Sequence, residues 1–224
     1  MNFKSYIISG RRDHNIDEEI YNKAYQHWKK IWIPEIFNKT EFCSDYFIKM
    51  QNLFVIMSDD RVAALAAFNF YDLSQESDRD LSYIQYLQKA GFFEKSKKNP
   101  LLISGEYISR HPIFSVKNTG ISLGSILIGM IQQAFIHSIA DYILGTTFIF
   151  RGVDQMAKEF GFQSVANIDR FGIPCAIVLN TREGAKTHPD AKHAYLIEEL
   201  WNTSINLKIY NSQETHYDKL TKSI

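Results

Sequence analysis

The sequence predicts an α/β fold for one domain, and three stretches of the chain support this prediction. Residues 100–162 read as a strand, a polar loop, a long helix, a second strand and a second helix. Residues 53–71 read as a hairpin, and residues 163–180 read as two closing strands. Strands that alternate with helices form a sheet covered by helices. A chain of 224 residues, 45% of them hydrophobic, is long enough to bury one substantial core.

The N-terminal part of the chain predicts a strand, a helix and the hairpin. Phe3 to Ile8 alternates enough for an opening strand. Pro34 is expected to end the helix that follows. The hairpin consists of apolar runs at 53–57 and 62–71 around the turn Asp59-Asp60-Arg61. The predicted buried face of the helix consists of Ile20, Ala24, Trp28 and Ile31.

The central strand and helix are the most informative part of the chain. Pro100 precedes the strand from Leu101 to Arg110, in which Glu106 is the single acid. The residues Asn118-Thr119-Gly120 suit a helix start, so a buried helix is expected to begin directly after Gly120. Its apolar positions recur at helical spacing: Leu123, Ile126, Leu127, Met130, Ile131 and Ala134.

The C-terminal part predicts a second strand at 141–148 and a helix that Gly161 ends. The stripe of that helix consists of Val153, Met156, Ala157 and Phe160. After the closing strands, Pro189 is expected in the first turn of a further helix.

The composition excludes several classes of protein. The 25 basic and 25 acidic residues cancel, so we expect no nucleic acid partner and no anionic membrane. Cys43 and Cys175 are too few for a disulfide framework or a structural zinc site, and no secretory signal begins the sequence. These features favour a cytoplasmic protein. Residues 121–131 are too short for a membrane span, which needs about twenty apolar residues.

The histidines and serines do not form a familiar catalytic motif. His188 and His193 have the wrong spacing to share one face of a helix, so we expect no metal. No Gly-x-Ser-x-Gly motif follows a predicted strand, which argues against a serine hydrolase.

Two motifs resemble those of a known superfamily. The loop reads Arg110-x-Pro112-x-Phe114-Ser115-x-x-Asn118-x-Gly120-x-x-Leu123, and the later helix ends in Phe160-Gly161-Phe162. Their order resembles the acyl-donor half of the Gcn5-related N-acetyltransferase (GNAT) superfamily. That family usually has an arginine at Ser115, a glycine at Asn118 and a tyrosine, a frequent general acid, at Ala157. The resemblance covers about residues 50–182 and implies a GNAT-like three-layer α/β fold, with a central mixed, splayed β-sheet flanked by helices.

A narrower likeness concerns Glu106-Tyr107-Ile108-Ser109-Arg110. With one extra residue, it resembles the Glu-x-Ser-Arg strand of acyl-homoserine lactone synthases and of long-chain N-acyl amino acid synthases, which commonly draw on acyl carrier protein. The likeness implies an N-acyltransferase that acts on a small-molecule amine such as an amino acid. The expected co-substrate is acyl-CoA or the 4′-phosphopantetheine of acyl carrier protein. Two interpretations of Lys95, Lys97 and Lys98 stay open: a contact with the acidic face of that carrier protein, or a solvated loop, which is the more usual meaning of such a run.

Two alternatives to this function remain open. One is an ordinary acetyltransferase that uses acetyl-CoA, and the other is a catalytically silent GNAT-fold protein that binds a ligand. The expected organisation is the same for all three: a single acyltransferase-like domain over 1–224, with a core at about 3–182, an insertion or lid at 72–99 and a C-terminal helical extension at 187–224.

Glu106 is the expected general base, because it is an acid on an otherwise acid-free strand beside the loop. The alternative is a structural carboxylate paired with Arg110 or another cation. Ser109 and Arg110 are expected to orient the substrate or Glu106. The donor is expected to bind through backbone amides and the loop, at Ile108, Lys117, Asn118, Thr119, Gly120 and Ser122.

Overall fold

The computed structural model describes residues 2–10, 18–36, 44–89, 91, 99–170 and 172–205, without the side chains of residues 82 and 83. The strands are β1 (Phe3–Ser9), β2 (Asn52–Ser58), β3 (Arg61–Asp72), β4 (Leu101–Arg110), β5 (Tyr142–Phe148), β6 (Gln163–Arg170) and β7 (Ile173–Asn180). The α-helices are α1 (Glu18–Ile36), α2 (Asp45–Ile48), α3 (Glu76–Arg79), α4 (Ser82–Lys89), α5 (Val116–Thr119), α6 (Leu123–Ile136), α7 (Val153–Glu159) and α8 (Ala191–Asn202).

The strands form one seven-stranded sheet in the order β1-β2-β3-β4-β5-β7-β6. Neighbouring strands are antiparallel except β4 and β5, which run parallel. The predicted mixed sheet with flanking helices is therefore confirmed.

Helices cover both faces of the sheet. On one, the α6 face, helices α6, α7 and α8 pack against side chains such as Phe68 and Ile103. On the other, the α1 face, α1 packs on Leu65 and Ala67, and α4 packs on Leu102. Successive side chains of a strand point to opposite faces, so Ala67 and Phe68 belong to different cores. Burial on both sides explains why β2 and β3 read as nearly continuous apolar runs.

The predicted end of α1 is wrong, because the helix continues through Pro34 to Ile36. Pro34 lies in the last turn, where the missing amide removes one backbone hydrogen bond. Ile36 is buried beyond it, and this burial stabilises the final residues of the helix. Ile31, expected in the core, is half-buried.

Two predicted helix starts are also displaced. The short α5 ends at Gly120, whose left-handed φ of 66° suits glycine. α6 begins three residues later, because the Ser122 hydroxyl accepts a hydrogen bond from the amide of Ser125 and caps the helix. Pro189 precedes the first turn of α8, since Asp190 is the capping residue. Among the described residues, no helix is long and apolar enough to cross a membrane.

Candidate active site

The sheet opens between β4 and β5. Their pairing covers residues 102–105 and 142–145, and its last pair is Gly105 with Gly145. Beyond this pair, β4 and β5 are no longer paired with each other, in a stretch that the structure describes completely. There β4 stays paired with β3, and β5 stays paired with β7. A Cβ atom added at Gly145 would lie 3.3 Å from the carbonyl oxygen of Gly105. Glycine therefore permits the close approach at the point where the strands separate.

A cavity of about 690 Å³ occupies this opening. Its wall includes Ser122, Gly124 and Met156 from the α6 face, and Trp32 and Arg170 from the α1 face. The two strands contribute residues 105–110 and 143–148 to it. Its volume lies within the range of about 300–1,000 Å³ that is usual for small-molecule sites.

Glu106 is half-buried in this wall, and three donors hold one of its carboxylate oxygens. Oε1 accepts hydrogen bonds from Asn69 Nδ2 at 2.9 Å, from the Tyr71 hydroxyl at 3.0 Å and from Ser104 Oγ at 2.6 Å. Among the described residues, no cation forms an ion pair with Glu106, and Oε2 has no hydrogen-bond partner. The carboxylate is thus fixed through one oxygen, while the other is left for a ligand.

The donors Asn69 and Tyr71 were not assigned from the sequence, although a signal for them existed. They lie two residues apart on β3, and this spacing puts both side chains on the α1 face of the sheet, next to the neighbouring strand β4. A polar pair on one face of an otherwise apolar strand predicts a polar partner on the neighbouring strand. Only the strand order showed that this partner was Glu106.

A β-bulge follows Glu106 on β4. Leu65 pairs with Ser109 and Ala67 with Glu106, so β4 has one more residue than β3 across this interval. Tyr107 within the bulge takes a φ of 53°, which is unusual for a residue other than glycine. The additional residue of the Glu-x-Ser-Arg-like motif coincides with this bulge.

Tyr107 lies between β4 and the aromatic residues of α1. Its ring contacts those of Trp28 and Trp32 edge to face, with centroid distances of 5.9 Å and 5.4 Å. Burial, reinforced by the charge of Glu106, raises the pKa of the Tyr107 phenol well above its ordinary value. The hydroxyl therefore stays protonated at physiological pH.

Ser109 is buried, and a histidine of α1 holds its hydroxyl. Ser109 Oγ lies 3.1 Å from His27 Nε2. Burial, followed by the charges of His111 and Lys30, lowers the pKa of His27 to about 4. His27 is therefore neutral at pH 7. Burial also lowers the pKa of His111, whose ring centroid is 6.3 Å from that of His27.

The three expected catalytic residues, Glu106, Ser109 and Arg110, all line the cavity. Arg110 is exposed at its rim, and its guanidinium donates to the carbonyl oxygen of Pro112 at 3.4 Å. The structure therefore does not show the alternative ion pair between Arg110 and Glu106.

The structure brings only some of the residues that were expected to bind the acyl donor to the cavity. Ile108 and Ser122 line it, whereas Lys117, Asn118, Thr119 and Gly120 do not. The Asn118 amide donates to the Ile113 carbonyl at 2.8 Å, and the Thr119 hydroxyl lies 3.0 Å from the carbonyls of Ser115 and Ile121. These two side chains shape the loop from within.

Two residues of α8 reach the loop although they are remote in sequence. Lys192 Nζ lies 3.7 Å from the position that a Cβ atom at Gly120 would occupy. The amide of Ser122 donates to Nε2 of His193 at 2.9 Å, across 71 residues of sequence. No local motif marks either residue, because only the docking of α8 beside α6 brings them to the loop. Lys192 therefore supplies a cation beside Gly120 at the end of the loop.

The side chains of His188, Asp190 and His193 lie close together, although the spacing of the two histidines does not suit one face of a helix. They meet because His188 precedes α8, so its position is not set by helical spacing. Their candidate ligand atoms lie within 4.8 Å of one another. All four ring nitrogens have partners: His188 Nδ1 accepts from the Asp190 amide, His188 Nε2 faces Glu159, His193 Nδ1 faces Asp190 and His193 Nε2 accepts from Ser122. The cluster therefore fastens the start of α8 to the start of α6, and the absence of a metal stays a prediction.

Comparison with known proteins gives a likeness in structure alone. No protein-family model and no curated protein sequence matches the chain. FeeM, an N-acyl amino acid synthase from uncultured soil microbes, matches with a TM-score of 0.56 at 7% identity, over 81% of this chain and 91% of FeeM. BjaI, a CoA-dependent acyl-homoserine lactone synthase in a structure with SAM and isopentyl-CoA, matches with a TM-score of 0.58 at 9% identity, over 91% of this chain and 93% of BjaI.

A third match is an acyl-CoA N-acyltransferase from Pseudomonas aeruginosa, with a TM-score of 0.52 at 10% identity, over 80% of this chain and all of the other. At sequence identities of 7%, 9% and 10%, these matches show a similarity of fold alone. The resemblance predicted from the sequence is confirmed at that level: the chain has a divergent GNAT-like fold, similar to that of N-acyl amino acid and acyl-homoserine lactone synthases.

Proposed function

We propose that this protein is an N-acyltransferase that moves an acyl group from an acyl thioester to a small amine such as an amino acid. One observation carries the proposal: β4 and β5 separate beyond Gly105 and Gly145, and Glu106 stands in the wall of the cavity between them. Such an opening accepts the extended arm of a thioester donor, and it exposes strand backbone to the reacting carbonyl.

The donor, acyl-CoA or the phosphopantetheine of acyl carrier protein, is proposed to approach from the α6 face. The amide of Ser122 is occupied by His193, but the amides of Leu123 and Gly124 have no recorded partner among the described residues. Amides in the first turn of a helix favour a phosphate group. Lys192 beside Gly120 adds a positive charge there, which offsets in part the loss of the family's loop arginine at Ser115.

The thioester carbonyl is proposed to lie in the opening, against the backbone of β4 from Ile108 to Arg110. A tetrahedral intermediate carries its negative charge on that oxygen, and strand amides aimed at the oxygen stabilise it. Ser109, held by His27, fixes this part of the strand. Ala157 is buried at the position where the family has its tyrosine, so water is the proposed proton source for the departing thiolate.

Glu106 is proposed to take the proton of the acceptor amine, directly or through one water. The bonds from Asn69, Tyr71 and Ser104 to Oε1 orient the carboxylate, and Oε2 is left to receive the proton. The attack then forms the carbon–nitrogen bond and expels the thiolate without an acyl-enzyme.

A catalytically silent binding protein is the second candidate, because Ser115, Asn118 and Ala157 replace three residues of the family pattern. An acyl carrier protein partner and a cytoplasmic location also belong to the proposal. The lysines considered for a contact with the carrier protein, Lys95, Lys97 and Lys98, lie outside the described residues. The lid expected at 72–99 stays a prediction; within it, α4 packs Ile84 and Leu87 into the core beside Tyr71.

The test is the variant Glu106→Gln, assayed with octanoyl-CoA and acetyl-CoA against a panel of amino acids. Loss of a general base is expected to lower kcat by roughly 10²–10⁴-fold, while the Kd for the donor stays unchanged. Glu198→Gln, at an exposed position of α8, is the matched control. Undiminished turnover by Glu106→Gln would show that Glu106 is not the base. A wild-type protein that neither binds nor consumes any thioester would favour the silent binder.

A further inference from the structure

The two histidines near the start of α8 each bond to one backbone amide and one carboxylate. His193 Nε2 accepts from the amide of Ser122 at 2.9 Å, and its Nδ1 lies 2.7 Å from Asp190 Oδ1. His188 Nδ1 accepts from the amide of Asp190 at 3.0 Å, and its Nε2 lies 3.0 Å from Glu159 Oε2. These four side chains and the Ser122 amide form what we name the α8 clasp. It joins α8 to the start of α6 and to the end of α7.

The hydrogen bonds of the α8 clasp fix the tautomer of each ring. A ring nitrogen that accepts from an amide carries no proton, so a neutral imidazole has its proton on the other nitrogen. His193 is therefore the Nδ1–H tautomer and donates to Asp190, whereas His188 is the Nε2–H tautomer and donates to Glu159. A further proton on either ring would break its bond to a backbone amide, because two N–H groups would then face each other.

The two rings differ in how readily they can take up a proton. Their centroids are 4.6 Å apart in a stacked pair, so two positive charges would repel each other. The side chain of His193 is 15% exposed, and that of His188 is 6% exposed. Hydrogen bonds from the side chain and the backbone amide of His193 hold the pKa of the Asp190 carboxyl below its usual range, so a charged carboxylate stays beside this ring. One proton is therefore expected in the α8 clasp, on His193.

The segments around the α8 clasp contribute few other contacts with the rings. α6 contains no ionisable side chain. The ionisable side chains of the other adjoining segments are Lys117 on α5, Asp154, Lys158 and Glu159 on α7, Lys186 before His188, and Asp190 and Lys192 at the start of α8. Among the described residues, only Glu159 and Asp190 of this set form an ion pair or a side-chain hydrogen bond with the two rings.

The α8 clasp holds a part of the cavity wall through Ser122. This residue is the N-cap of α6: its Oγ accepts from the amide of Ser125 at 3.3 Å and lies 3.6 Å from Met156 Sδ. Ser122, Gly124 and Met156 line the cavity on its α6 face. A Cβ atom at Gly124 would lie 3.4 Å from Met156 Sδ, so α6 and α7 meet closely here. The bond from Ser122 to His193 therefore fixes the place where the acyl donor is proposed to enter.

We propose that His193 is a positioning residue for the acyl donor: the neutral ring holds Ser122 and the cavity wall beside it, and a proton on Nε2 releases them. This inference rests on the proposed function and adds to it a residue remote from the loop and a control of donor binding by pH. Histidine is the side chain whose ordinary titration falls between about pH 5 and 8. Binding of the donor is accordingly expected to weaken as the pH falls through this range.

Nuclear magnetic resonance of the whole chain tests the α8 clasp without any substrate. At pH 8, after treatment with EDTA, proton–nitrogen spectra of the rings are expected to show His193 as the Nδ1–H tautomer, and the amide of Ser122 is expected to be protected from hydrogen exchange. At pH 5 the ring is expected to be an imidazolium and the amide to exchange faster. An Nε2–H tautomer at pH 8, a ring that takes up no proton down to pH 5, or protection that survives protonation would each overturn the inference.

Calorimetric titration with octanoyl-pantetheine and octanoyl-CoA at the same two pH values tests the positioning role. Octanoyl-pantetheine has no ionisable group, so a change in its Kd reports on the protein. This Kd is expected to rise roughly three- to tenfold at pH 5, as for the loss of one hydrogen bond. An unchanged Kd with an opened clasp would overturn the positioning role. Tighter binding of octanoyl-CoA alone would also overturn it, because the imidazolium would then contact a phosphate.

Failure of the proposed function gives a different result. If neither thioester binds at either pH, the proposed function fails and the positioning role fails with it, whereas the tautomer of His193 and the protection of Ser122 still show whether the α8 clasp exists.

Two substitutions of His193 assign the pH dependence to this ring. His193→Gln offers an amide oxygen close to the place of Nε2 and does not titrate, so the Kd for octanoyl-pantetheine is expected to be the same at both pH values. His193→Asn is too short to reach Ser122 and is expected to bind as weakly at pH 8 as the wild type does at pH 5. His137→Gln, at an exposed position, is the matched control and is expected to keep the pH dependence. A pH dependence that persists in His193→Gln would refute the inference.

Discussion

The buried histidine behind Ser109 gives this protein a defined dependence of stability on pH. His27 is 6% exposed, and its Nε2 lies 3.1 Å from Ser109 Oγ. Burial, together with the charges of His111 and Lys30, lowers its pKa from 6.5 to about 4. Between these two pH values the unfolded chain binds a proton at this site and the native protein does not. Stability must therefore rise with pH through this window and level off above it.

The magnitude follows from the two pKa values, 6.5 and about 4. Each pKa unit corresponds to roughly 1.4 kcal/mol, so the full effect at acid pH is about 3 kcal/mol. At pH 5 the unfolded state is almost fully protonated at this position and the native state is not. The free energy of unfolding is thus expected to fall by about 2 kcal/mol between pH 7 and pH 5 on account of His27 alone.

Urea unfolding at pH 7 and pH 5 measures this loss directly. His27→Gln keeps a polar group near Ser109 but does not titrate, so it is expected to lose about 2 kcal/mol less than the wild type over this interval. His137→Gln, at an exposed position, controls for the removal of a histidine as such. If wild type and His27→Gln lose the same free energy of unfolding, the assignment of a neutral, buried His27 is refuted.

Two other variants test the opening and the loop. Gly145→Val places a branched side chain at a position where even a Cβ atom would lie 3.3 Å from the carbonyl oxygen of Gly105. The variant is expected to abolish binding of the acyl donor, measured by titration with octanoyl-CoA, and to lower stability by about 1–3 kcal/mol, measured by thermal unfolding. Unaltered binding of octanoyl-CoA would contradict the placement of the thioester. Lys192→Met removes the charge beside Gly120 and is expected to raise the Kd for CoA about five- to tenfold without changing the Kd for pantetheine. Lys49→Met, at an exposed site directly after α2, is expected to change neither Kd. An equal loss for both ligands would contradict a phosphate contact.

Much of the fold was predictable because local patterns agreed with the final packing. The run from Leu101 to Arg110 became β4, and the helical stripe that includes Met156 and Ala157 became α7. The errors came where two local signals competed. Pro34 signals a helix end, but the burial of Ile36 extends α1 past it. Gly120 signals a helix boundary, but Ser122 supplies the actual cap.

The candidate site was only partly predictable. Glu106 was singled out because an acid in an apolar strand is conspicuous; it lies in the cavity wall, and its role as the base stays a prediction. Lys117 was expected to contact the donor, yet α5 keeps it away from the cavity wall. Lys192 and Arg170 were not assigned, because each lies on a remote element: only the assembled fold brings Lys192 to the loop and Arg170 to the cavity.

The sequence by itself determined the order of strands and helices and the position of the acid beside the loop. These follow from hydrophobic periodicity and turn residues, which act over a few neighbouring positions. The tertiary structure decided where β4 and β5 part, which donors hold Glu106, and how α8 meets the loop. Those features depend on strand register and on contacts between residues far apart in the chain, which no local pattern encodes.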